Sequence, residues 1–228
     1  MTRLSDESGF TVAEVLTALT IGLVVTMATL GLVEFVMKRT GEVERRVDAT
    51  QRARLAMDTM TRQLRSQVCL SSTVPPIEDG TPNEVTFYTD LTDSAPGKLP
   101  ERHVLKYDPA AKTITHDSYL GSGTAPSITY DLSSPRKRTL LTNVLPDGAE
   151  PLFRYYRFDG ATPPQPKQEL TTPLKANGNE KLVARLAIRF KTLPTRPVAN
   201  DRTGISLHDD VYVRAADPEN PAPIPTCT

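Results

Sequence analysis

Proline is absent from Met1 to Val74, although the chain of 228 residues holds 20 of them. Nothing in that stretch stops a helix early. Charge is absent from Val15 to Val33, a run of 19 residues. A helix of that length can cross a hydrocarbon layer of about 30 Å. Cysteine is scarce: Cys69 and Cys227 are the only two, and without a Cys-x-x-Cys pair a zinc cluster is disfavoured. The three histidines, His103, His116 and His208, are scattered. The chain has no Gly-x-Ser-x-Gly, no His-Glu-x-x-His and no phosphate-cradling glycine loop, so no enzyme class is signalled and no cofactor is implied. Net charge is zero.

The length predicts one or two domains. Hydrophobic residues make up 38% and the mean hydropathy is −0.33, although the first forty residues are very apolar. The rest is therefore polar. Charge is uneven: residues 38–70 carry eight Lys/Arg against four Asp/Glu. A basic helix there could meet anionic lipid headgroups or DNA; a solvated face is the simpler account.

The stretch that organises the chain is Gly9-Phe10-Thr11-Val12-Ala13-Glu14 with the apolar run behind it. An acid at the edge of a membrane helix is costly, marks function by default and calls for a partner. Thr17, Thr20, Thr26 and Thr29 can bond back to helix carbonyls. Gly22 and Gly31 allow close approach of another helix, though nine residues apart they do not form Gly-x-x-x-Gly. Glu34 marks the far interface. Beyond Lys38, Val43, Val47, Ala53, Ala56, Met57, Met60, Leu64 and Val68 recur at three- and four-residue spacing, predicting an amphipathic continuation. The helix should run from about Phe10 to Cys69, roughly 90 Å, and end before Pro75-Pro76.

From residue 84 the period changes to two. Strands are expected at 84–89, at 103–107 and 113–117 around an Asp108–Lys112 hairpin, and at 127–130. Further strands are expected at 139–144, then, after a Pro-Asp-Gly turn, at 152–158, 182–191 and 211–214. Segments 91–100, 159–179 and 192–204 read as loops. His208-Asp209-Asp210 could bind a cation, but reads better as a polar turn. Arg136-Lys137-Arg138 could meet DNA or lipid, but reads better as a solvated loop. The expected class is α+β, with one long helix packed on antiparallel sheet.

The N-terminal pattern resembles the signature of type IV prepilins and type II secretion pseudopilins: a short polar leader, a Gly, then Phe-Thr-x-x-Glu opening a long apolar helix. The resemblance implies that a prepilin peptidase cuts after Gly9 and methylates the new amine of Phe10. Glu14 would then pair with the amine of a neighbouring subunit, offsetting the cost of two ions in low dielectric. The leader carries only Arg3, and Lys38 and Arg39 follow the helix, so positive-inside counting alone favours the opposite orientation. The segment Leu140-Leu-Thr-Asn-Val144, then Phe153-Arg-Tyr155-Tyr, a Pro-rich loop and the strand at 182–191 resembles, more loosely, J-type minor pseudopilins and large minor pilins across 139–214.

The resemblance implies a cleaved leader at 1–9, a membrane or filament-core helix at 10–37 and an amphipathic continuation at 38–73. A β-rich head at 74–217 and a Pro-rich tail at 218–228 complete it. It further implies an inner-membrane protein with an extracytoplasmic head, near a filament tip because the head is bulky. Its partners would be other pilin subunits, prepilin peptidase, the assembly platform and the lipid bilayer; DNA has no specific support. Outside the cytoplasm Cys69 and Cys227 can bridge. The alternative is a permanently anchored β-domain that binds a ligand or acts as a hydrolase and keeps residues 1–9.

Overall fold

The computed structural model describes residues 10–71, 74–90, 99–124, 127–194 and 204–213. Its first element is one helix, α1 (Val12–Arg65). The chain divides into two compact units, Met1–Arg45 and Arg46–Thr228, so the boundary falls inside that helix.

In the first unit every residue from Phe10 to Thr40 is exposed. The helix is long and apolar enough to cross a membrane, and none of its apolar window is buried within the chain. The threonine hydroxyls donate to carbonyls one turn back: Thr17 to Ala13 at 2.9 Å, Thr20 to Leu16 at 3.1 Å, and Thr26 to Gly22 and Thr29 to Val25 at 2.7 Å. At the far end Glu34 pairs with Lys38 at 2.7 Å and Arg39 with Glu42 at 3.2 Å.

In the second unit the helix buries Ala49, Ala53, Ala56, Met57, Met60 and Leu64. Val43 and Val47, expected in that stripe, are 61% and 49% exposed. Six residues separate Val47 from Ala53, about 240° around a helix, which puts Val47 on another side. The helix stops at Arg65 rather than Cys69. Beyond it, Gln67 bridges Thr89 and Val68 N donates to Tyr88 O at 3.0 Å, so this segment runs along the end of the strand that closes at Thr89 instead of extending the helix.

The head is antiparallel β. The first sheet has the order β1 (Ile77–Thr81), β2 (Glu84–Thr89), β3 (Glu101–Asp108), β4 (Thr113–Tyr119), β7 (Arg136–Thr142). β5 (Gly121–Thr124) and β6 (Ser127–Tyr130) form a separate hairpin. The second sheet has β10 (Gln168–Glu169), β9 (Phe153–Arg157), β11 (Arg185–Thr192) and β12 (Ile205–Tyr212), with β8 (Val144–Leu145) also on β11. The fold class is α+β, as expected.

The β3–β4 turn forms where expected because the Asp108 carboxylate accepts Ala110 N at 2.9 Å and Ala111 N at 3.0 Å. β11 alternates strictly, burying Leu186, Ile188, Phe190 and Thr192. It starts at Arg185 because Glu180–Leu182 is a 3-10 turn. β2 departs from a half-buried strand: Thr86 and Tyr88, on the face away from the helix, are also buried. The expected loop 159–179 holds β10 and a 3-10 turn, Lys175–Asn177. No period-two pattern in the sequence marks β1 or β5.

One core joins the helix stripe to both sheets, through Met60 and Leu64, Phe87 and Leu105, and Tyr155 and Ile188. Gly80 permits the tightest approach. A Cβ there would lie 2.6 Å from Tyr155 Cε1, and the Tyr155 hydroxyl donates to Glu84 O at 2.9 Å and Thr81 O at 3.2 Å.

Candidate functional site

Thr11 opens the helix: its carbonyl accepts Glu14 N at 3.0 Å and Val15 N at 3.2 Å. Glu14 thus falls in the first turn, where a carboxylate is favoured by the helix dipole. It shares one side of the helix with Phe10, Val15, Ala18, Leu19, Gly22, Leu23 and Thr26, which line a shallow groove. Among the described residues no cation pairs with Glu14. Phe10 is 82% exposed, and a Cβ on Gly22 would meet nothing within 4 Å. The face is a lone acid followed by an open apolar strip. Gly9 lies outside the described residues.

Cys69 lies just past the helix and is not a free thiol. Cys227 lies outside the described residues, so the structure does not test their pairing.

His208, Asp209 and Asp210 sit in strand β12, not in a turn. Asp210 pairs with Arg185 at 3.0 Å and Asp209 approaches Arg65 at 3.9 Å. No group of three His, Cys, Asp or Glu among the described residues could hold a metal. Arg136-Lys137-Arg138 likewise opens strand β7 rather than forming a loop.

Two polar clusters in the head were not legible in sequence. In the first, His103 of β3 and His116 of β4 stack 4.9 Å apart, with Nδ1 of one 2.6 Å from Nε2 of the other. One proton arrangement serves both bonds: Gln63 donates to His116 Nδ1 at 3.5 Å and His116 Nε2 to His103 Nδ1 at 2.6 Å. His103 then keeps its own proton on Nε2, which has no hydrogen-bond partner among the described residues; Glu101 Oε2 lies 3.5 Å away. Both rings are neutral in that chain. Burial, then the charge His116 could carry, pushes His103 down to about 4. Burial lowers His116 as well, aided by Arg138 and opposed by Asp117.

In the second cluster, Glu78 of β1 accepts Arg102 Nε at 2.7 Å, the Tyr88 hydroxyl at 2.8 Å and Lys175 Nζ at 3.2 Å. Burial raises its pKa, but the bonds from Arg102 and Tyr88 outweigh that and hold the carboxyl below its usual range. Beside it Tyr130, which packs on Tyr88, is pushed up to about 12, first by burial. Both clusters read as structural, since each ties strands together.

The sequence matches no protein-family model and no curated protein.

Proposed function

We propose that this chain is a filament subunit of the type IV prepilin-like class, a minor pilin or pseudopilin, and not an enzyme. The observation that carries the reading is Glu14: one carboxylate on an uncharged, wholly exposed apolar helix face. Such a surface needs lipid or other apolar helices around it, and its acid needs a cation at the same depth. Cleavage after Gly9 creates that cation, the amine of Phe10. A neighbour's amine would meet Glu14 while Gly22 lets the backbones approach. The head would face outside the cytoplasm, where Cys69 and Cys227 bridge the end of the helix to the chain terminus. Its two sheets make it bulky, which suits a position at or near a filament tip.

The test is mass spectrometry of the N-terminal peptide from membranes of expressing cells. A methylated peptide starting at Phe10 supports the proposal. A peptide that retains residues 1–9 leaves the permanently anchored β-domain in its place.

A further inference from the structure

The first sheet has two edges and they are treated differently. At β1, Leu174 N donates to Gly80 O at 2.9 Å, and the Lys175 amide and side chain reach Asp79 and Glu78, so that edge is occupied. At the opposite edge β7 pairs only with β4; among the described residues no other strand bonds to its backbone. Arg136, Lys137 and Arg138 are exposed along it, and no ion pair reaches them among the described residues.

The cross-strand register places these cations. Arg138 stands opposite the buried His116 and Arg136 opposite Ser118, on the helix side of the sheet; Lys137, opposite Asp117, takes the other side. Further along, a groove of about 150 Å³ runs between the strand and the helix, lined by Leu55, Leu140 and Leu141. Leu55 is 65% exposed. The edge therefore offers free backbone donors and acceptors, three cations at one end and an apolar trough at the other. Cations on an edge deter pairing with a like edge. They leave it complementary to a strand that carries carboxylates.

We propose that β7 is the docking edge for an extended acidic segment of a partner protein. The segment adds to the sheet as a strand beside β7. Its carboxylates meet Arg136, Lys137 and Arg138, and its apolar residues lie against Leu55 and Leu140. Strand addition of this kind draws affinity from main-chain bonds and specificity from alternate side chains. A nucleic acid fits less well, because the large apolar residue at the groove mouth is a leucine and offers no ring for a base to stack on. The proposal stands apart from the helix reading: it would hold for an anchored β-domain too.

The probe is a fluorescent eight-residue peptide with four consecutive Glu in one half, which present carboxylates to both faces of the edge, and alternating Val in the other, titrated against the full chain in nanodiscs. Three controls accompany it: Lys in place of Glu, proline at the central pairing position, and a single-stranded oligonucleotide of matched charge. Binding of the acidic peptide alone, with slowed amide exchange in 136–142, supports the proposal. The triple variant R136E/K137E/R138E should weaken binding at least tenfold, since each reversal replaces an attraction with a like-charge repulsion. Leu55→Glu, on an exposed helix face, should weaken it without touching the edge. No binding, or equal binding of the proline peptide, overturns the proposal and leaves the cations as edge protection. Preferential binding of the oligonucleotide overturns it in favour of a polyanion surface.

Discussion

His103 Nδ1 lies 2.6 Å from His116 Nε2, inside a core where His103 is 3% exposed. That contact holds one proton between two neutral rings. Adding a second proton breaks the donor order that runs from Gln63 through His116 to His103 and charges a buried group whose neighbours include Arg138.

The head should therefore lose stability in mild acid. An unfolded histidine titrates near 6.5, whereas folded His103 titrates near 4. The stabilisation from keeping His103 neutral is complete above pH 6.5 and falls away as the pH drops towards 4. Between pH 6.5 and 5 the loss should be about 2 kcal/mol. Urea unfolding at pH 7.5 and pH 5 measures it. The double variant H103Q/H116Q should show a flatter profile over that window; an equally steep one would refute the assignment.

Gly80→Ala should destabilise the head by about 2–3 kcal/mol, because the new methyl group meets the fixed ring of Tyr155. Tyr155→Phe in the same background should not rescue it, since Cε1 and Cζ of the ring stay in the way after the hydroxyl, 2.7 Å from that Cβ, is removed. Thermal denaturation of both variants checks this.

Arg102→Met removes the strongest partner of Glu78 while Tyr88 and Lys175 remain. A half-buried carboxylate that loses its guanidinium should cost about 2–3 kcal/mol. Glu78→Gln in the same chain should recover part of that loss. A double-mutant cycle by urea unfolding gives the coupling.

Glu14→Ala should leave the protein cleaved and membrane-bound but poorly assembled, because the paired amine loses its mate. Crosslinking to neighbouring subunits in membranes is the readout. Normal incorporation of the variant would remove the role proposed for Glu14.

Reduction of a Cys69–Cys227 bridge should lower stability by up to about 5 kcal/mol, the chain-entropy value for so long a loop. Non-reducing electrophoresis of the wild type and Cys69→Ser shows whether the faster, crosslinked form exists.

Local pattern was enough for much of this protein. Nineteen uncharged residues without proline make a long apolar helix wherever they are placed. Period-two alternation marked β2, the β3–β4 hairpin and β11, because pleating alone assigns their faces. The lone acid at Glu14 was visible for the same reason. Pairing was not visible, because hydrogen bonds across a sheet carry no mark in the one-dimensional pattern. Thirteen positions separate His103 from His116, and register alone makes them touch. Arg136-Lys137-Arg138 looked like solvated loop, since exposed charge is common to loops and to open edges; only its ladder with β4 makes it a strand. Val47 fell outside the buried stripe through accumulated helix phase, and β1 escaped notice because Glu78 and Asp79 are satisfied by residues up to 97 positions away.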